Sequence, residues 1–152
     1  MNLKISRAQA EHASILTEIS ISAKRHWNYP EAWIQHWLPI LTISADYIST
    51  HEVWMMLDET KPIAFYSLSQ NKDTCELDHL WVLPDYIGKG IGKQLFNHAL
   101  ERCKKLGASV LKIESDPNAQ TFYERMGATK VGENHSQLFS EDRVLPIMEI
   151  NL

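Results

Sequence analysis

The segment that decides the fold is Leu77-Asp-His-Leu-Trp-Val-Leu-Pro-Asp-Tyr-Ile-Gly-Lys-Gly-Ile-Gly-Lys93. Its first part belongs to an apolar, β-prone run, Cys75–Leu83, that Pro84 stops, and it reads as a strand. Its second part carries Gly88, Gly90 and Gly92, and a helix opens directly after them. Phe96, Ala99, Leu100, Cys103 and Leu106 recur at helical spacing, with Gly107 placed to close the helix. Alternate glycines let a backbone turn with its N–H groups facing inward and no side chain barring approach. The new helix adds its unsatisfied N–H groups and the positive end of its dipole, which makes an anion site suited to a pyrophosphate. The plainer alternative is a strand-to-helix turn whose glycines serve tight packing.

Two phosphate motifs fail on these residues. The P-loop pattern needs a glycine where Ile87 stands and Ser or Thr where Gln94 stands. The dinucleotide fingerprint Gly-x-Gly-x-x-Gly puts its last glycine at Lys93, and antiparallel strands rather than a βαβ unit precede the loop.

Upstream of the decisive segment, Val53–Leu57 and Ile63–Leu68 read as strands joined by a turn through residues 58–62. A second turn at 70–74 leads into Cys75–Leu83, so three strands form an antiparallel meander. Earlier still, Leu3–Ile5 reads as a first strand, and Ser6 with Gln9 fits a capping box. His12, Ile15, Leu16, Ile19, Ala23 and His26 then follow at helical spacing. Pro30 suits the first turn of a second helix, which Pro39 should kink or shorten. Downstream, Val110–Glu114 is a strand, and Asp116-Pro117 starts a helix carrying Ala119, Phe122, Tyr123 and Met126 before Gly127. Two last strands, near Thr129–Glu133 and Val144–Ile150, flank a polar loop with His135 and Ser136, and Pro146 marks the final strand as an edge or as bulged. The order is βααβββαβαββ, an α+β fold with a mixed, mostly antiparallel sheet of about six or seven strands flanked by helices.

The chain has 152 residues, 15 Lys+Arg against 19 Asp+Glu, and a net charge of −4, which suits one domain spanning residues 1–152. That charge lacks the basic footprint of a nucleic-acid binder. No apolar run approaches the roughly 18–20 residues of a membrane span. The first residues, MNLKISRAQAEHAS, lack a signal-peptide core, and Cys75 and Cys103 form no Cys-x-x-Cys pair. The expectation is a cytoplasmic protein with no metal, no nucleic-acid partner and no membrane partner. Five Trp are present, three of them between Trp27 and Trp37.

Two motifs together resemble the GNAT N-acetyltransferases. The family's acetyl-CoA motif is Arg/Gln-x-x-Gly-x-Gly/Ala after a strand ending in Val-x-Pro. Here it reads Ile87-Gly-Lys-Gly90-Ile-Gly92 after Val82-Leu-Pro84. The second motif is similar to Asn118-Ala-Gln-Thr-Phe-Tyr123-Glu-Arg-Met-Gly127. The resemblance covers Cys75–Gly127. It implies acetyl-CoA as co-substrate, held by Leu80, Trp81, Val82, Ile87, Gly88, Lys89, Gly90, Ile91, Gly92, Lys93, Asn118, Phe122 and Tyr123. Ile87 departs from the family's Arg/Gln, so pyrophosphate binding leans on the backbone N–H groups of the loop, with Lys89 or Lys93 supplying charge.

The implied reaction is direct attack of an amine on the thioester in a ternary complex. A backbone N–H near Val82 serves the oxyanion, and Tyr123 matches the tyrosine that protonates the departing thiolate. The alternative for Tyr123 is an aromatic core residue beside Phe122. Glu76 or Asp78, which share a strand face, is the expected base, with His79 on the opposite face behind them. On the acceptor side the resemblance points to the segment joining the first two helices. Trp33 and Trp37, at i and i+4, favour a buried helix face, while Trp27 and Tyr29 are the better wall residues. The acceptor-side candidates are thus Trp27, Tyr29, Trp33 and, from the last loop, His135. The expected activity is acetyl transfer to a primary amine of a small molecule or peptide terminus. A non-catalytic acyl-CoA sensor of the same fold is the alternative, and the last strand could pair with a second copy in a homodimer.

Overall fold

The structure, a computed structural model, describes every residue from Met1 to Leu152. It contains seven strands and five α-helices. The strands hydrogen-bond in the order β1-β2-β3-β4-β5-β7-β6, a mixed sheet. The chain divides into two compact units, Met1–Leu68 with His79–Asn97, and Ser69–Asp78 with His98–Leu152.

In the first unit, β1 (Leu3–Arg7) runs antiparallel to β2 (Glu52–Asp58), pairing Leu3 with Asp58 and Arg7 with Trp54. β2 in turn runs antiparallel to β3 (Lys61–Asn71), pairing Glu52 with Leu68 and Asp58 with Lys61. The turn between them is shorter than expected. Pro62 already belongs to β3 opposite Leu57, beside a register shift that accommodates its missing N–H.

Three helices intervene between β1 and β2: α1 (Ala13–Arg25), α2 (Glu31–Leu41) and α3 (Ala45–Thr50). The sequence reading has two. The short α3 is set by the Ser44 side chain, which accepts from the Tyr47 N–H as an N-cap. α2 continues only two residues beyond Pro39. The expected Ser6–Gln9 box is displaced. Ser6 lies in β1 opposite Met55, and the reciprocal pair is Gln9 with His12, whose Nδ1 accepts from the Gln9 N–H at 2.9 Å.

α1 has an apolar stripe for the reason its spacing gives: Leu16, Ile19, Ser20, Ala23 and Lys24 are its buried residues. Leu16 and Ile19 join Ala8, Ile43, Ile48, Val53, Met55 and Phe65 in one core cluster, and Trp81 and Leu83 pack against it. Burial of each large apolar side chain contributes about 1.5–3 kcal/mol. The polar groups on this face are satisfied locally. The Ser20 hydroxyl donates to the Leu41 carbonyl, and Thr17 exchanges hydrogen bonds with the backbone of Ile43.

In the second unit, β5 (Val110–Glu114) lies parallel to the start of β4 (Thr74–Val82), from Thr74 opposite Val110 to Glu76 opposite Lys112. On its other side β5 is antiparallel to β7 (Glu141–Asn151). β6 (Thr129–Leu138) pairs with β7 as a long hairpin. α4 (Ile91–Lys105) precedes β5, and α5 (Gln120–Arg125) follows it after a short turn at Pro117–Ala119.

The C-terminal part differs from the sequence reading in two ways. No polar loop holds His135 and Ser136; they are strand residues opposite Val144 and Arg143. A two-residue turn at Phe139 and Ser140, both at positive φ (50° and 67°), keeps the hairpin in register to its tip. Nor is β7 an edge, since it pairs on both sides; β6 is the edge strand. Pro146 is tolerated because it lies one residue beyond the β5 ladder, which ends at Glu114 opposite Ile147. There only its carbonyl is used, by the Ser115 N–H at 2.8 Å. The register shift lies nearby in β6, between Lys130 and Gly132.

Candidate active site

The glycine loop begins where β4 is tied down. The Leu83 N–H donates to the Ile63 carbonyl at 2.9 Å, and Pro84–Tyr86 form a single tight turn. The Tyr86 phenol donates to the Asp58 carboxylate at 2.8 Å, joining this turn to the β2–β3 hairpin. That bond holds the Asp58 carboxyl below the usual carboxylate range and pushes the Tyr86 phenol up. The Lys89 ammonium lies 5.3 Å from the Tyr86 ring centroid.

Gly88 and Gly90 both adopt left-handed backbone, with φ of 82° and 79°. A Cβ at either position would meet no atom within 4 Å, so conformation and not crowding selects glycine. α4 then starts at Ile91, its first intrahelical bond running from the Gln94 N–H to the Gly90 carbonyl. The N–H groups of its first turn have no intrahelical acceptor, and they carry the positive end of a 15-residue helix. Ile87, at the head of the loop, is 44% exposed.

On the end of β4, His79, Leu80, Trp81 and Val82 are all half-buried. The Trp81 indole N–H donates to His79 Nδ1 at 2.9 Å. Indole nitrogen can only donate, so the bond assigns the lone pair to Nδ1 and the ring proton to Nε2. His79 further contacts Phe65 and Tyr47, with ring centroids 6.0 Å away in each case. Tyr47 shares a hydrogen bond of 2.8 Å with the buried Ser67 hydroxyl and stacks on His51.

The aromatic segment folds into one cluster in this unit. Trp33 is buried, Tyr29 stacks on it at 5.8 Å, and Trp37 meets both edge-on at 5.0 and 5.8 Å. Trp27 instead faces outward, 41% exposed, with its ring edge-on to His26. At the centre of the cluster is the Lys24 ammonium, 4.2 Å from the Trp37 centroid, 4.9 Å from Tyr29 and 5.9 Å from Trp81. Desolvated contacts of this kind are worth about 2 kcal/mol.

The second unit holds the remaining candidates. Glu76 and Asp78 alternate with buried Cys75 and Leu77 on β4 and are both exposed. Asp78 accepts from the Ser69 hydroxyl at 3.1 Å. Asp116 caps the turn after β5, accepting from the Asn118 N–H at 2.8 Å and from the Asn118 side-chain amide at 2.9 Å. This fixes the approach to α5, on which Tyr123 is buried and meets Phe122 edge-on at 5.2 Å. Burial, and secondarily the Asp116 charge, push the Tyr123 phenol well above its ordinary value. His135 is on the outer strand and bonds Glu133, whose carboxyl is lowered by Lys130 and His135. No group of three or more His, Cys, Asp or Glu is placed to hold a metal ion. No helix is long and apolar enough to cross a membrane.

The model of the acetyltransferase (GNAT) family matches residues 16–128, a stretch that runs through both units. The chain belongs to the GNAT family. A solved GNAT structure from Rhodopseudomonas palustris superposes over 100% of this chain and 97% of its own, with a TM-score of 0.80 at 19% identity. The PaiA N-acetyltransferase of Thermoplasma acidophilum, solved with coenzyme A, covers all of both chains at a TM-score of 0.78 and 21% identity. The peptidyl-lysine N-acetyltransferase YjaB of Salmonella typhimurium is 31% identical over 91 residues, 59% of this chain. That match also spans 59% of the relative's length.

Within this GNAT chain, Lys24 and Tyr86 are the site neighbours that sequence reasoning passed over. Lys24 had a legible signal. It follows Leu16 and Ser20 at i+8 and i+4, so a lysine sits on the buried stripe of an amphipathic helix. Tyr86 had none, because its partner Asp58 is 28 residues away.

Proposed function

We propose that the protein transfers an acetyl group from acetyl-CoA to a primary amine by direct attack in a ternary complex. The observation that carries this reading is the Gly88–Gly90 loop, with two left-handed glycines flanking Lys89 and delivering the N-terminus of α4. In a GNAT chain that geometry suits the coenzyme's pyrophosphate. Binding along β4 would place the thioester carbonyl against the backbone near Val82, whose N–H is the proposed oxyanion donor. The amine forms the new C–N bond, the tetrahedral intermediate expels the thiolate, and the Tyr123 phenol supplies the proton that makes free coenzyme A.

For the base, the proposal keeps Glu76 and Asp78, whose exposed carboxylates can relay the amine proton to solvent. His79 is a weaker choice, since the Trp81 N–H occupies Nδ1 and Nε2 already carries the proton. Trp27, Tyr29 and Trp33 remain the proposed acceptor-side residues, with His135 a weaker member on its exposed strand. A homodimer, if it forms through strand pairing, would use β6 or β1 and not β7.

A second reading, a non-catalytic acyl-CoA sensor, is favoured by one observation: exposed Ile87 stands where the family's motif has Arg or Gln. Following thiol release from acetyl-CoA across an amine panel, beside calorimetry with acetyl-CoA, ATP and NAD, separates the readings. Turnover that falls in Tyr123→Phe with coenzyme affinity kept supports the transferase. Tight acetyl-CoA binding with no turnover supports the sensor, and preference for ATP or NAD defeats both.

A further inference from the structure

Ile87 leaves the head of the glycine loop without a polar side chain, and the residue before it, Tyr86, gathers two lysines. The Lys89 ammonium lies 5.3 Å from the Tyr86 ring centroid, and the Lys61 ammonium lies 5.9 Å from the same centroid. Lys89 belongs to the loop itself, between Gly88 and Gly90. Lys61 comes from a different element, the first residue of β3. Asp58 and Lys61 are the last opposed pair of the β2–β3 hairpin, so their side chains leave the same face of the sheet. From that face Asp58 accepts the Tyr86 hydroxyl at 2.8 Å while Lys61 approaches the ring. The hairpin therefore delivers a cation to the start of the loop.

Both lysines are exposed. Neither forms an ion pair, unlike Lys104 with Glu101 and Lys130 with Glu133. Asp58 offsets the Lys61 charge in part at longer range, but its carboxylate is already engaged by the Tyr86 phenol and the Asn2 N–H. The Tyr86 ring attracts both ammoniums without neutralising either. Two flexible, strongly hydrated donors thus stand beside a turn whose backbone N–H groups lead into α4. A phosphate group suits both parts, since its oxygens accept from backbone N–H and from ammonium groups alike.

We propose that Lys61 is a further coenzyme-binding residue, which joins Lys89 on a phosphate group of acetyl-CoA and supplies the side-chain contact that Ile87 does not. The inference rests on the acetyl-CoA reading and adds to it a residue that lies outside both sequence motifs. Lys61 meets none of the reacting atoms in this account; it acts through coenzyme affinity alone.

Calorimetry with acetyl-CoA, acetyl-dephospho-CoA and acetyl-pantetheine tests this on wild type, Lys61→Met, Lys61→Arg and Lys105→Met. Methionine keeps an apolar stem over Tyr86, and arginine keeps the charge. Lys105, at the other end of α4, controls for net charge. Lys61→Met is expected to weaken acetyl-CoA by about five- to tenfold in Kd at low salt, with the difference shrinking as salt is added. Lys61→Arg should recover most of the affinity, and Lys105→Met should bind as wild type does. Acetyl-pantetheine carries no phosphate and should bind all four proteins alike. A loss that persists with acetyl-dephospho-CoA supports the proposal and assigns Lys61 to the pyrophosphate. A loss confined to acetyl-CoA supports it equally and assigns Lys61 to the ribose 3′-phosphate.

Unchanged acetyl-CoA affinity in Lys61→Met overturns the proposal, as does an unchanged salt dependence. An equal loss with acetyl-pantetheine also overturns it, by showing that Lys61 only props the loop, and an equal loss in Lys105→Met does so by reducing the effect to net charge. A wild type that binds no acetyl-CoA defeats the coenzyme reading itself, and this inference falls with it.

Discussion

The Tyr86 phenol and the Asp58 carboxylate, 2.8 Å apart, tie the turn that opens the glycine loop to the hairpin between β2 and β3. Asp58 also accepts from the Asn2 N–H at 3.2 Å, so one carboxylate gathers the start of the chain, a hairpin and the approach to the loop. Tyr86→Phe keeps the ring and removes only the bond. The expected result is a several-fold rise in KM for acetyl-CoA with kcat within about twofold, because a looser loop weakens pyrophosphate binding while the reacting groups are untouched. The same variant should let the Asp58 carboxyl rise toward its ordinary value, measurable by NMR titration. The sign follows from the depressed native value. The bond's stabilisation is present above the ordinary carboxylate pKa, near 3.9, and is lost as pH falls through the native value. Wild type and Tyr86→Phe should therefore converge in stability at low pH.

Gly90 has φ of 79° with open space where a side chain would go. Substitution there is a test of backbone conformation alone. Gly90→Ala should strain the loop by about 1 kcal/mol or more, and Gly90→Asn by less, since asparagine visits the left-handed region more readily. Coenzyme affinity by calorimetry should fall in the order glycine, asparagine, alanine. An unchanged affinity in Gly90→Ala would show that the loop does not hold the coenzyme in this conformation.

Ile87 offers a gain instead of a loss. It is exposed and heads the loop, so Ile87→Arg can be accommodated without disturbing the core. A guanidinium beside a pyrophosphate forms charge-assisted hydrogen bonds, and about a tenfold tighter Kd for acetyl-CoA is expected. Acetyl-pantetheine, which has the thioester and no pyrophosphate, should show no such gain. Improvement with both ligands would place the effect elsewhere than the phosphates.

The parts of this molecule that could be read from sequence are those fixed by local spacing. Val110–Glu114 alternates on the page as it does in β5, and Gly88 to Lys93 announces a turn feeding a helix, as α4 confirms. What escaped depends on partners distant in sequence or on turns with unusual residues. Phe139-Ser140 is not a customary two-residue turn, so the paired strands around it read as a loop and misplaced His135. Pro146 read as an edge because its neighbours are invisible in one strand, and only the end of the β5 ladder explains it. The aromatic cluster was legible as a concentration of Trp, but its organising residue was not. Lys24 belongs to it through rings contributed by α2 and β4.

Tyr123 supplies the sharpest test of the chemistry. Its burial, reinforced by the Asp116 charge, raises the phenol above its ordinary value near 10, so the proton stays on the oxygen throughout the neutral and mildly alkaline range. A phenol in that state can donate to a departing thiolate across that range. Tyr123→Phe is expected to lower kcat by about 10²–10⁴-fold, the usual range for loss of a positioned acid, with the acetyl-CoA Kd within about threefold. The kcat profile of wild type should show no alkaline decline from this group below about pH 10. Stability behaves in the complementary way. A native value raised above the unfolded one gives stabilisation that is complete below the unfolded pKa and is lost as pH rises through the native value. Alkaline unfolding should consequently set in at higher pH for Tyr123→Phe than for wild type, relative to each protein's stability at pH 7. A variant that loses activity together with coenzyme affinity would identify Tyr123 as a packing residue of α5 and remove it from the reaction.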